Sequence, residues 1–304
     1  MDCQYERYFP ELAGRALDPL QYYEVSWQVR REVINDLIAE GEASLPRLLS
    51  RFVNFEKRYE LRGHVMEGMP TGTLGYLPIK ETGTALDRLE TWRKGVLRGG
   101  DSEFLEHIQF DLSGMLVDFA EGADTILELG SGFGLQLFRL YHGGGPAQAR
   151  YVGAEISPAG RDMAECLARL ESGMRFQSVA FDLRSPDWSV LNGSRKALIF
   201  SAWSLMYVDR MADDFFSALA QWPGEATLVF CEPVGFQWGA AHPLSRKQAE
   251  VCALGKLNGD LSAAIGKAVA AGLIEPLVVA KDIFAKSYTA FDMFSVIVCH
   301  KPAA

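Results

Sequence analysis

The stretch from Thr125 to Gly134 constrains this chain most. Thr125-Ile126-Leu127-Glu128-Leu129 is a short apolar run, and Gly130-Ser131-Gly132-Phe133-Gly134 follows at once. Leu135 to Tyr141 then has helical spacing. A buried strand, a glycine-rich turn and a helix, in that order, open a βαβ unit. Glycine lets the backbone turn sharply and come close to a ligand. Free amides at the helix start can hold a polar or anionic group. On this reading a side chain at Gly132 would fill ligand space.

The alternation continues to the end of the chain. Tyr151 to Ile156, Arg175 to Asp182, Ala197 to Ser201 and Ala226 to Glu232 read as strands. Pro158 to Leu170, Asp213 to Gln221 and Ser262 to Ala271 read as helices. Leu277 to Ala285 and Phe291 to His300 read as two closing strands. Strands alternating with helices predict an α/β fold with a doubly wound, mostly parallel seven-stranded sheet. Only the short Ser287-Tyr288-Thr289 connection joins the last two strands. A parallel crossover needs more chain, so these two should form an antiparallel C-terminal hairpin.

The first 120 residues have a different texture. Pro19 to Glu40 reads as a helix pair, and Leu45 to Tyr59 as a helix with Pro46 near its start. Gly63 to Gly83, rich in Gly and Pro, reads as a long loop. Leu86 to Leu97 and Ser102 to Phe119 read as further helices. The expected division is a helical N-terminal extension over 1–120, serving as a cap for substrate or a homodimer contact, and a sheet domain over 121–304.

Charge and composition exclude some functions. A net charge of −9 over 304 residues speaks against a duplex nucleic-acid partner. No uncharged apolar stretch is long enough to cross a bilayer, so no membrane partner is expected. The N-terminus begins polar and acidic, without the features of a signal peptide. Cys3, Cys166, Cys231, Cys252 and Cys299 are odd in number and far apart, as reduced thiols of a cytoplasmic protein would be. His64 and His107 have no acid or Cys partner at metal-ligand spacing, so no metal is expected.

A second acid follows the glycine loop. Glu155 closes the second strand, 27 residues after Glu128, where about 20 is usual for a ribose-binding acid. Gly143-Gly144-Gly145-Pro146 accounts for the excess as an extended connection. Residues 124–232 resemble the class I (Rossmann-like) S-adenosylmethionine-dependent methyltransferases. Glu128 to Gly134 match the family's first motif, Glu155 with Ile156 its ribose-binding acid, and Phe181-Asp182-Leu183 its third-strand motif. Ser201 to Val208 is similar to its fourth-strand segment. The resemblance implies S-adenosylmethionine as cofactor, held by Glu128, Gly130, Ser131, Gly132, Gly134, Glu155, Ile156, Asp182, Leu183 and Ser201.

Ligands of such folds meet at the carboxyl ends of the strands. Tyr207, Glu232 and His242 lie there in sequence and are the candidate catalytic residues. Glu232 could orient a cationic acceptor or take a proton. Trp203 and Trp238, with Tyr22 and Trp27 of the extension, are the candidate substrate-binding residues, although aromatics at such spacing also build cores. The Asp/Asn-Pro-Pro-Tyr signature of base-modifying enzymes is absent, and so is the paired-glutamate pattern of protein-arginine methyltransferases. The expected reaction is methyl transfer to an oxygen or nitrogen of a small-molecule metabolite. A protein or peptide acceptor is the second reading. A nicotinamide-dependent oxidoreductase lacks its Gly-x-Gly-x-x-Gly loop and a Tyr-x-x-x-Lys pair. A non-catalytic nucleotide-binding protein with a degenerate site is the last alternative, and the intact glycines and Glu155 speak against it.

Overall fold

The computed structural model describes residues 3–14, 19–56, 58–66, 69–78, 112–240, 243–284 and 293–304. Strand β1 is Gln4–Tyr8, helix α1 Pro19–Ala39 and helix α2 Leu45–Glu56. Strands β2, Tyr59–Met66, and β3, Met69–Pro78, come next. The sheet region begins with α3, Leu112–Phe119, then β4, Thr125–Leu129, α4, Leu135–His142, and β5, Arg150–Glu155. It continues through α5, Pro158–Ala168, β6, Arg175–Ala180, β7, Lys196–Ala202, α6, Phe215–Ala220, and β8, Glu225–Glu232. Helices α7, Pro243–Gly255, and α8, Leu261–Ala270, precede β9, Glu275–Phe284, and β10, Met293–Lys301.

Seven strands form one sheet in the order β6-β5-β4-β7-β8-β10-β9. The pairs from β6 to β8 are parallel, and β10 runs antiparallel to both β8 and β9. The expected hairpin is therefore present, with β10 wedged between β8 and β9. Central strands β4, β5, β7 and β8 are buried on nearly every residue. That is what a sheet covered on both faces requires, and it explains their continuous apolar runs. Leu127, Leu129, Ile199 and Leu228 pack on one face with Trp188 and Phe215. Ile126, Leu198, Phe200 and Val229 pack on the other, toward α4.

The extension departs from its reading as helices and loop. Pro19–Ala39 is one 21-residue helix, not a pair. The segment read as a loop from Gly63 instead joins an antiparallel three-stranded sheet, β1-β3-β2. The helices expected over 86–97 and at the start of 102–119 lie outside the described residues. Val25, Val29, Phe52, Leu74 and Tyr76 of the extension belong to the same buried cluster as Ile126, Phe133, Leu137 and Phe138. One apolar core thus runs across the boundary near residue 120. Helix α7 has no counterpart in the sequence reading. Among the described residues no helix is long and apolar enough to cross a membrane.

Candidate active site

The glycine loop is stitched to the neighbouring strand. Gly130 and Ser131 both donate their amides to the Ala154 carbonyl, at 2.7 and 3.2 Å. Gly130 and Gly132 have φ of 68° and 53°, in the left-handed region that L side chains avoid. Gly134, with φ of 82°, starts α4. Space adds a second requirement. A β-carbon on Gly130 would run into Ser204, and one on Gly132 would lie 2.7 Å from Cζ2 of Trp27. The open side of Gly132 therefore faces an aromatic ring of α1, where the sequence reading placed open ligand space.

Two carboxylates flank the loop. Glu155 ends β5 and is 7% exposed. It accepts hydrogen bonds from the amides of Gly132 and Ser157, each 2.8 Å. Burial pushes its carboxyl above the ordinary range, against the opposing pull of those two amides. Glu128 is buried beneath the loop at the end of β4 and accepts from the Leu137 amide. Burial, with the nearby charge of Glu155, holds its carboxyl well above the usual value. Its Oε2 and the Ser131 hydroxyl are buried with no hydrogen-bond partner among the described residues. Buried polar atoms without partners are rare and costly, so two beside one glycine loop mark a place built to receive polar groups.

Helix α1 lies across this edge of the sheet. Glu24, Trp27 and Arg31 share one helical face at three- and four-residue spacing. Glu24 accepts from the Ser157 hydroxyl at 2.5 Å and from the Ala159 amide at 3.2 Å. A carboxylate is favoured there, because the first amides of α5 point outward unpaired. Ser157 caps the same helix by accepting from the Gly160 amide, 3.1 Å away. Trp27 packs edge-on to Phe133, with centroids 5.5 Å apart. The Arg30 guanidinium sits 4.8 Å from the centre of the Trp27 ring. Arg30 pairs with Glu56 at 2.9 Å, and Glu56 also accepts from Tyr76 of β3 at 2.8 Å. The indole over the glycine loop is thus braced from the N-terminal sheet. Further along the edge, Tyr23 packs against Tyr207 with centroids 4.9 Å apart.

Glu232 has a different role from the one its position suggested. It is fully buried at the end of β8 and accepts from the amides of Ser204, Leu205 and Met206 at 3.1, 3.0 and 3.2 Å. Those amides begin the short 3-10 turn Leu205–Tyr207. Burial pushes the Glu232 carboxyl up to about 7 despite the amides. The side chain therefore shapes the turn that carries Tyr207. Ser204 adds a bond to the Leu129 carbonyl at 2.6 Å, tying this turn to the glycine loop.

The remaining candidates divide. Tyr207 and Trp238 are 43% and 39% exposed at the carboxyl edge. Trp203 has φ of 53° and packs on Phe294 of β10 with centroids 4.8 Å apart, so its ring works in packing. Asp182 faces its neighbour Arg184 in a two-pronged pair with both contacts at 2.9 Å, which lowers its pKa. Leu183 packs on the second core, and Ser201 is fully buried at the end of β7. Ile156 is 36% exposed and lines a groove with Leu20 and Glu24. Tyr22 is half-buried and lines a second groove with His64 and Leu74. His242 lies outside the described residues. Sequence reasoning missed Glu24, Ser157 and Ser204. Ser157-Pro158 was the one legible signal, since Ser before Pro is a helix-start pair.

No family model and no curated protein matches the chain. Solved structures do. Geranyl diphosphate C-methyltransferase from Streptomyces coelicolor A3(2), in complex with Mg2+, geranyl diphosphate and S-adenosyl-L-homocysteine, is 17% identical. That likeness covers 63% of this chain and 76% of that one at a TM-score of 0.43. The N-terminal domain of EvdMO1 with SAH bound is 17% identical, covering 72% of this chain and 98% of that one at 0.40. A SAM-dependent methyltransferase from Aquifex aeolicus is 14% identical, covering 69% and 98% at 0.40. The strand order of this chain, with an antiparallel strand wedged next to the outer edge and the glycine loop after the central strand, is by itself the α/β methyltransferase arrangement.

Proposed function

We propose that this chain is an S-adenosylmethionine-dependent methyltransferase acting on a small molecule, at an oxygen or nitrogen. The observation that carries the reading is the pair of orphaned polar atoms, Glu128 Oε2 and Ser131 Oγ, at the glycine loop of a sheet with this strand order. The donor set fits the cofactor: a buried acid for a cationic group, loop amides, and a strand-end acid for hydroxyls. When bound, the cofactor supplies a methyl group on a positively charged sulfur. The chain's own task is then to place the acceptor in line and keep water out. Glu232 fixes the turn that presents Tyr207, and α1 covers the loop through Trp27. Tyr207 and Trp238 are the exposed aromatics left to meet an acceptor, with His242 following in sequence. A net charge of −9 and a helix over the edge favour a small acceptor over nucleic acid or a protein surface.

Calorimetric titration with S-adenosylmethionine, S-adenosylhomocysteine and NADH tests this. The two adenosyl ligands should bind and NADH should not. Glu128→Gln keeps the acceptor for the Leu137 amide but cannot ionise when a cationic group arrives, and should weaken S-adenosylmethionine by about tenfold, roughly 1.4 kcal/mol. Gly132→Val is a poor control, because it also displaces Trp27. Binding of NADH alone, or of none of the three, would overturn the proposal.

A further inference from the structure

The N-terminal sheet brings two side chains from the start of the chain together with a third that is far from them in sequence. Cys3 precedes β1, Glu6 lies within it and His64 is on β2, so 61 residues separate Cys3 from His64. Their donor atoms nevertheless all lie within 4.8 Å of one another. Cys3 Sγ is 3.8 Å from His64 Nε2. Two ligands of one tetrahedral zinc ion, at about 2.3 Å for sulfur and 2.05 Å for nitrogen, stand about 3.6 Å apart.

The backbone is shaped to produce this meeting. Residues three apart on a regular strand point to opposite faces, so Cys3 and Glu6 should diverge. The register of β1 on β3 shifts between Gln4 and Arg7, which pair with Tyr76 and Leu74, so one extra residue is inserted in β1. Tyr5, inside that bulge, has φ of 54°. A bulge of this kind re-aims a side chain, and here it turns Cys3 and Glu6 to one side. The register of β2 on β3 shifts between Gly63 and Val65, at His64 itself. The floor of the cluster is Gly75. A β-carbon there would lie 2.6 Å from Cys3 Sγ and 3.0 Å from Glu6 Cα. Only glycine at this position lets the thiol settle over β3.

We propose that Cys3, Glu6 and His64 form a three-ligand site for a borderline divalent metal ion of the zinc type. A thiolate, an imidazole and a carboxylate together suit that class, whereas magnesium and calcium favour all-oxygen sets. The Glu6 side is exposed and the other two ligands half-buried, so solvent supplies the fourth position. Binding converts the Cys3 thiol to thiolate, and its proton leaves to solvent. The ion would join β1 to β2 across β3. Strand β1 also holds α1, through Tyr5 to Asp36 and Arg7 to Glu32, both at 2.9 Å. The site would therefore anchor the sheet that braces Trp27.

The test uses the full chain with its purification tag removed, stripped of metal with a chelator and titrated with Co2+. One Co2+ per chain should bind with a thiolate-to-cobalt charge-transfer band in the near ultraviolet. Zn2+ should displace it and abolish the band. The band should vanish in Cys3→Ser and persist in Cys166→Ser, a half-buried thiol elsewhere in the chain. His64→Gln and Glu6→Gln should each weaken binding by at least about tenfold, with an unchanged circular dichroism spectrum. If Cys3→Ser does not fold, His64→Gln decides the matter. No band in the wild type, a band that survives Cys3→Ser, or affinity unmoved by both His64→Gln and Glu6→Gln would overturn the proposal.

Discussion

The extension and the sheet domain hold their edges in opposite ways. In the sheet domain β4, β5 and β6 lie side by side, the chain then crosses to the other side of β4 for β7 and β8, and the central strands are buried on both faces. Its strand-end carboxylates take backbone amides, as when Glu155 accepts from Gly132 and Ser157. The extension is tied instead by contacts from side chain to side chain. Tyr76 bonds to Glu56, Glu56 to Arg30, and Arg30 stacks on Trp27. The glycine loop is thus held by backbone groups, while the helix that covers it is held through side chains.

The strongest way to break the comparison is to ask whether the two regions fold as one. Phe52 of α2 is fully buried and meets Phe133 of the glycine loop edge-on, with centroids 5.5 Å apart. Phe52→Ala should cost about 3–5 kcal/mol. Denaturant unfolding followed by tryptophan fluorescence and by far-ultraviolet circular dichroism should give one shared transition, shifted as a whole. Two separated transitions would mean that the extension has a core of its own.

Glu232→Ala comes next. It leaves the Ser204, Leu205 and Met206 amides without their acceptor in a buried place, which costs at least about 3 kcal/mol. The wild-type residue also gives a pH signature of known sign. Its folded pKa, about 7, is above its ordinary value of 4.5. Between these values the folded state holds a proton that the unfolded state has released. Its contribution is therefore complete below 4.5 and is lost as pH rises toward 7, by roughly 3 kcal/mol. Chemical denaturation at a series of pH values would show this slope in the wild type. A slope retained in the variant would assign it to another group.

Much of the sheet was legible in the sequence, and the reason is physical. Thr125–Leu129 and Ala226–Glu232 are mostly apolar runs because both of their faces are covered, and glycines or turns bound each of them. The extension was not legible in the same way. Strand β3 contains Pro70, Gly72, Gly75 and Pro78, residues that lower any strand expectation. Gly75 is there because the β1 bulge crosses directly over it, and that contact is invisible without the fold. The same limit hid the partners of His64, since Cys3 and Glu6 reach it only through two register shifts. At the candidate active site the sequence singled out Glu128 and Glu155 as cofactor-binding acids, and the structure places both beside the glycine loop. The sequence could not show that Glu232 turns inward, because strand-end position says nothing about which amides a carboxylate will find.

Glu24→Ala sharpens the comparison at the joint between the regions. The substitution removes the acceptor for Ser157 and for the Ala159 amide. Loss of a helix-capping carboxylate costs about 1 kcal/mol of global stability. The local effect should be clearer than the global one. Amide hydrogen exchange in the first turn of α5 and across Tyr23–Trp27 should quicken, while exchange in β4 stays unchanged. Equal acceleration in β4 would mean that this link serves the whole fold and not the seating of α1.

The smallest effect belongs to the other link between the same two helices. Arg31 reaches Asp162 at 3.4 Å, with the two side chains 41% and 67% exposed. Water screens such a pair, and holding two long side chains in one geometry costs entropy. Arg31→Ala should therefore change stability by less than about 0.5 kcal/mol, and that difference should vanish in high salt. Combining it with Glu24→Ala gives a double-mutant cycle on one interface. If α1 is seated by the half-buried Glu24 carboxylate, the coupling between the two sites should be close to zero. A coupling above about 0.5 kcal/mol would show instead that α1 moves as a rigid body once either link is cut.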